Sequence, residues 1–266
     1  RKRRPSRSFS TRRNRHCATT CEVGTTNKTR IADYRDAIGP DTAALMRVHP
    51  SNFAIVGFTE EVGLKELVEL GRKQNLPVID DVGSGAIQDV AAYGIQGEPV
   101  VSESISGGAD VVLFSGDKLL GGPQSGIILG KKPLIEKIMR HPLMRALRVD
   151  KLTLAALEAT QQLYLDPQTA LTNIPTLQML AVPAEELHQR CEKLLPKLQG
   201  SLGDAAELNL CQACATVGGG ALPLAELPGW AIALVPQSIS LNEMSSRLRS
   251  CDPPVVGRIQ DDRFLI

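Results

Sequence analysis

Val78-Ile79-Asp80-Asp81-Val82-Gly83-Ser84-Gly85 and Val111-Val112-Leu113-Phe114-Ser115-Gly116-Asp117-Lys118-Leu119-Leu120-Gly121-Gly122-Pro123-Gln124 share one design. Each is a short apolar run that passes into charged residues and glycine. Short apolar runs bounded by turn signals read as buried strands. In open α/β sheets, ligands gather at the carboxyl ends of the strands. An acid at one such end and a lysine at another, 37 residues later, can therefore meet in one cleft.

The surrounding sequence supports that sheet. Strand-type runs occupy Ala43–His49, Pro77–Asp80, Asp110–Phe114 and Gly126–Leu129. Between the first two, Glu60–Gln74 carries Val62, Leu64, Leu67, Val68 and Leu70 at mostly helical spacing, and Lys132–Arg140 reads as a further helix. Strands alternating with helices predict an α/β domain with a mainly parallel sheet over residues 22–150. The character changes near residues 145–170. Leu152–Leu165 and Ala184–Leu198 read as helices, and Pro167, Pro175 and Pro183 punctuate the segment. Strand candidates follow at Ala206–Leu210, Ala231–Val235, Val255–Ile259 and Arg263–Ile266, with a loop at Gly218-Gly219-Gly220. Residues 151–266 are therefore expected to form a smaller α+β domain.

Composition narrows the class. The chain has 266 residues, 42% of them hydrophobic, enough to bury a sizeable core. No apolar run approaches the roughly 20 residues that span a bilayer, and no secretory h-region is visible. Six scattered cysteines do not form a disulfide framework. A cytoplasmic, reduced protein with no membrane partner is the expectation. The net charge of +1 hides an asymmetry. Residues 1–21 hold eight Arg and Lys and no acid, leaving 22 basic against 29 acidic residues beyond them. This anomalous basic segment reads as a nucleic-acid-binding arm, or as a disordered or frameshifted stretch.

Pyridoxal phosphate (PLP) has a use for the lysine and the acid. It needs a lysine to form a Schiff base with its aldehyde, and a carboxylate to keep its pyridine nitrogen protonated. Lys118 and Asp81 are the candidates. Ser115 is placed to reach a phosphate oxygen or the ring hydroxyl. His49-Pro50-Ser51-Asn52 closes a strand at the same edge, so His49 or Asn52 can touch the ring. Spacing also permits plainer readings: a phosphate-binding or solvated lysine, and a turn at Pro50-Ser51-Asn52. Arg145 and Arg148, three apart, would share a helix face that suits a multiply charged oxyanion, or simply form a solvated basic stretch. Cys211 and Cys214 lack a second ligand pair, so no metal site is expected. His188, among charged neighbours, reads as a surface residue.

Seven motifs occur in one order: Glu22-Val-Gly-Thr-Thr-Asn-Lys-Thr29, His49-Pro-Ser-Asn52, Asp81-Val-Gly-Ser-Gly85, Ser115 to Gln124, His141-Pro-Leu-Met-Arg-Ala-Leu-Arg148, Lys151-Leu-Thr-Leu-Ala-Ala-Leu-Glu-Ala-Thr160 and Val256-Gly-Arg-Ile259. Together they resemble the bacterial selenocysteine synthases, the L-seryl-tRNA(Sec) selenium transferases, from about residue 22 to 266. The resemblance implies a PLP-dependent transferase of fold type I. It implies conversion of seryl-tRNA(Sec) to selenocysteinyl-tRNA(Sec) with selenophosphate, through a dehydroalanyl intermediate. Carried over, Lys118 is the Schiff-base lysine, Asp81 the pyridine partner, and Asp117 an active-site acid. Arg145 and Arg148 match the family's selenium-donor anion site. A homo-oligomer is implied as well. The family's chains are longer on the N-terminal side, so the expectation is a chain truncated there and, from its last strand, at the C-terminus. Two other readings fit the same residues: a related PLP-dependent lyase acting on a small amino acid, and a non-catalytic fragment with a basic arm.

Overall fold

The computed structural model of the protein describes residues 18–95, 97–217 and 220–266. The arginine-rich start at residues 1–17 and the loop glycines Gly218 and Gly219 lie outside the described residues.

Two separate sheets organise the described chain. The first contains β1 (Leu45–Val48), β2 (Val78–Gly83), β3 (Val111–Ser115) and β4 (Gly126–Gly130), in that spatial order. β1, β2 and β3 run parallel, while β4 returns antiparallel to β3 along the edge. Helices α1 (Ile31–Ala37), α2 (Leu64–Gln74) and α3 (Val101–Ser106) precede these strands or connect them. Burial along β2 alternates residue by residue, as a strand's two-residue period dictates. Val78, Asp80 and Val82 point to one face and Ile79 and Asp81 to the other. The core on the first face joins Leu67, Val68 and Leu70 of α2 to Leu45 and Val78. A second cluster joins Val101, Val112, Phe114 and Leu120 to Val82.

Asp80 has no solvent exposure and takes a bidentate pair from Arg47, its register partner on β1. Nε donates at 2.8 Å and Nη2 at 2.9 Å.

α2 starts later than its spacing suggests. Glu60 bridges to Lys28, its N–H donates to the Asn27 carbonyl and its carbonyl accepts from Thr29. Those long-range partners hold Glu60 extended, and Gly63 becomes the N-cap. At the other end Asn75 turns left-handed at φ 59° and closes the helix.

The chain then runs through α4 (Lys132–Met139), α5 (Pro142–Leu147), α6 (Lys151–Leu163), α7 (Pro167–Asn173), α8 (Pro175–Ala181) and α9 (Ala184–Leu202). The second sheet is antiparallel, ordered β5 (Ala206–Thr216), β6 (Glu226–Pro236), β8 (Arg263–Leu265), β7 (Arg258–Gln260), with α10 (Leu241–Arg249) before the last two strands. α9 and α10 cover it through Leu195, Leu198, Met244 and Leu248, packed on Ile232 and Phe264. The strand expected at Val255–Ile259 shortens to Arg258–Gln260. His188 is not a free surface residue: its ring lies 4.2 Å from that of Trp230 on β6.

Candidate functional site

Parallel pairing brings the ends of three strands to one edge. Val48 sits opposite Asp81 and Gly83 opposite Phe114. The His49 N–H donates to the Asp81 carbonyl, carrying the pairing one residue past β1. The register between β2 and β3 shifts between Asp81 and Gly83, a bulge that re-aims the chain where the strand ends. Ser51, Asp81 and Lys118 follow from three different strands to the same edge.

Lys118 is half-buried, and its Nζ donates to Ser51 Oγ at 3.1 Å. Ser51 is 8% exposed. Asp81 is half-buried, and its Oδ1 accepts from the Gly83 N–H at 3.1 Å. Ser51 belongs to the His49–Asn52 motif, yet the sequence reading favoured its neighbours. Asn52 is exposed, and the His49 ring turns elsewhere. His49 Nε2 lies 3.7 Å from Glu98 Oε2, whose side chain is 3% exposed. His49 and Glu98 line a cavity of about 460 Å³ with Arg47, Glu61, Asp89 and Glu103.

The loop after β3 is built for close approach. Gly85 has φ +73°, and a Cβ there would fall 2.3 Å from the Ser115 carbonyl oxygen. Only glycine lets the two strand ends pack this closely. The Gly116 N–H donates to the Ser125 carbonyl and the Gly122 N–H to the Gly116 carbonyl, closing the loop beyond Lys118. Ser115 is half-buried and Asp117 exposed. From the second sheet, the β5–β6 connection reaches the lysine: a Cβ on Gly220 would lie 3.2 Å from Lys118 Cε. Ala221 and Leu222 then pack against Leu119.

α6 and its C-cap brace the same loop. Leu157 packs beside Leu120. The Tyr164 hydroxyl donates to the Leu119 and Leu120 carbonyls at 3.3 and 3.0 Å. Burial, with the nearby Tyr93 phenol adding to it, pushes the Tyr164 phenol up to about 12. The folded value exceeds the unfolded one of 10.0. The stability this contributes is therefore fully present below the unfolded value and is lost as pH rises through the folded value. Thermal melts across that alkaline window should show falling stability in the wild type. Tyr164→Phe should flatten the slope and cost about 1 kcal/mol at neutral pH.

Arg145 and Arg148 do not share a helix face. Arg145 closes the last turn of α5, whereas Arg148 caps it in an extended conformation at φ −61°, ψ 140°. Both are exposed. Among the described residues neither enters an ion pair. Among the described residues no hydrogen bond ties either arginine to the Lys118 loop. Cys211 is half-buried and Cys214 exposed on β5, and no group of three or more metal-type ligands occurs among the described residues.

Comparison with known proteins places the chain among relatives. The family model for L-seryl-tRNA selenium transferases matches residues 13–266, beginning upstream of Glu22. The L-seryl-tRNA(Sec) selenium transferase of Moorella thermoacetica is 53% identical over 245 residues, covering 92% of this chain and 52% of that protein. The one from Geobacter sulfurreducens is 51% identical over 245 residues, 92% of this chain and 53% of that protein. The chain thus spans about half the length of the curated relatives it matches. Among solved structures, D-glucosaminate-6-phosphate ammonia-lyase superposes with a TM-score of 0.57 at 20% identity. That match covers 92% of this chain and 57% of the other. It bears on the fold alone, which is the α/β, fold-type-I architecture expected from the sequence.

Proposed function

The chain belongs to the L-seryl-tRNA selenium transferase family, and on that premise we propose that it carries the cofactor-holding part of an enzyme converting seryl-tRNA(Sec) to selenocysteinyl-tRNA(Sec), with PLP as cofactor and selenophosphate as selenium donor. One observation carries the reading. Lys118 lies half-buried at the carboxyl edge of the parallel sheet, its amine on a neutral hydroxyl, with Asp81 at the adjacent strand end.

The residues present fit PLP. Lys118 enters no ion pair among the described residues, so no carboxylate holds its ammonium. Asp81 offers a half-buried carboxylate, and the Gly83-Ser84-Gly85 turn keeps the edge free of bulky side chains. When bound, PLP supplies an electron sink that makes the serine α-proton removable.

The chain's own groups then divide the work. Lys118 Nζ would hold the aldehyde and, as a free amine, would take the serine α-proton. Asp81 would keep a proton on the pyridine nitrogen. Ser115 would bond a phosphate oxygen, whereas His49, paired with Glu98 in the cavity beside Arg47, would meet the ring only by turning away from that carboxylate. Asp117, exposed beside the lysine, would face the entering substrate. The serine hydroxyl would leave as water with the α-proton, and selenium would bond the β-carbon as the P–Se bond of selenophosphate breaks and its phosphoryl group passes to water as phosphate. The guanidinium groups of Arg145 and Arg148, in no ion pair among the described residues, suit the donor's oxyanion. The substrates imply a cytoplasmic setting. Among the described residues no helix is long and apolar enough to cross a membrane. A homo-oligomer completes the proposal.

The test is direct. Purified protein with PLP, seryl-tRNA(Sec) and selenophosphate should yield selenocysteinyl-tRNA(Sec), detected by mass spectrometry of the released amino acid. PLP binding without this product, but with ammonia released from small amino acids, would replace the transferase reading by a lyase.

A further inference from the structure

We infer that Ser51 is a positioning residue for Lys118, its hydroxyl being the dock that holds the Nζ atom whenever the amine carries no other group. The inference rests on Lys118 being the cofactor lysine. Three observations lead to it. First, Ser51 Oγ is the hydrogen-bond acceptor of Nζ, at 3.1 Å. Second, Ser51 is buried, while every residue from Asn52 to Glu61 is exposed. A polar group is buried at small cost only when bonded, and here the lysine supplies that bond. Third, the neighbouring carboxylate does not take the amine. A Cβ built on Gly83 would lie 3.1 Å from Ser51 Oγ and 4.0 Å from Asp81 Oδ1, so hydroxyl and carboxylate flank the same point. Even so, Lys118 bonds the hydroxyl and forms no ion pair with Asp81.

The choice of a hydroxyl has a chemical reason. Capture of an aldehyde needs the lone pair of a neutral amine. Nζ forms the new bond to the aldehyde carbon, and its two protons leave with the aldehyde oxygen as water. A carboxylate dock would hold the ammonium form and withhold that lone pair. A serine hydroxyl accepts from the ammonium and donates to the neutral amine, so it holds Nζ in either state. Ser51 therefore keeps the amine aimed at the edge without opposing loss of its proton. Gly220 supports the same geometry from the other side, lying against the lysine stem.

Two measurements on the full chain test this. Ligand-free protein is acylated with limiting acetic anhydride at neutral pH, and the Lys118 peptide is quantified by mass spectrometry. The rate of PLP uptake is followed separately by visible absorbance. Ser51→Asp should slow Lys118 acylation about tenfold by holding the ammonium. Ser51→Ala, which leaves Nζ unaimed, should slow PLP uptake about tenfold, while Ser51→Thr, which keeps the hydroxyl, restores the rate. A folded Ser51→Asp with the wild-type acylation rate overturns the inference. So does Ser51→Ala with wild-type PLP uptake, which decides the matter alone if Ser51→Asp does not fold. Slowed acylation in Ser51→Asp, in a protein whose wild type takes up no PLP, supports the dock and refutes the cofactor reading instead.

Discussion

Lys118→Ala should abolish the visible absorbance band of the PLP-loaded protein and lower selenocysteinyl-tRNA(Sec) formation by roughly 10³-fold or more. The expectation follows from chemistry and position together. The other residues placed at the edge, Ser51, Asp81 and Ser115, carry no amine. The cost to the fold should be small. The side chain is half-buried, and its one side-chain hydrogen bond among the described residues is to Ser51, so a loss of about 1 kcal/mol is expected. Thermal melting separates the two effects. Lys118→Arg sharpens the comparison, because it keeps the charge but cannot form the covalent bond. A band that persists in Lys118→Ala would assign the cofactor to another lysine.

Arg47→Met should destabilise the protein by about 3–5 kcal/mol, the cost of leaving a buried charge without its partner. Asp80 has no solvent exposure, and both its oxygens are taken by Arg47. Removing the guanidinium strands that carboxylate beneath α2. The paired change Arg47→Met with Asp80→Leu should recover much of the loss, because a well-packed apolar pair avoids desolvation. Chemical denaturation of the two single variants and the double variant gives the coupling energy. An Arg47→Met protein within about 0.5 kcal/mol of wild type, the range of ordinary surface changes, would show that Asp80 finds another partner or a proton.

Much of this was legible in the sequence because strands announce themselves locally. The apolar runs at Val78 and Val111 needed no tertiary information, and parallel pairing then placed Asp81 and Lys118 at one edge. The misses came where a distant partner or a competing cap decided. Glu60 to Gly63 carry residues that suit a helix, yet Asn27 and Thr29 hold Glu60 extended from across the chain. Arg148 continues the spacing of Arg145. However, Asp150 caps the next helix by accepting from the Leu152 and Thr153 N–H groups, and the residues before a cap must leave the helical conformation. Ser51 was passed over because a turn through Pro50 breaks the alternation that says which side chain faces inward. Its signal lies in the burial of one residue ahead of an exposed loop, which only a folded chain displays.

Asp80 and Asp81 are chemically identical neighbours with opposite destinations. A strand repeats every two residues, so sliding β2 by a single position would exchange them: the acid of the site would enter the core, and the core acid would face the ligand. The fork of Arg47 would accept either carboxylate set opposite it, so the ion pair alone does not choose between them. Val78 and Ile79 could exchange at small cost, but the slip would put Gly83 where Val82 is fully buried and leave a cavity there. The larger effect of Val82 is therefore on reading frame, in space rather than in sequence: it is an alignment key that decides which of two equal acids the lysine meets.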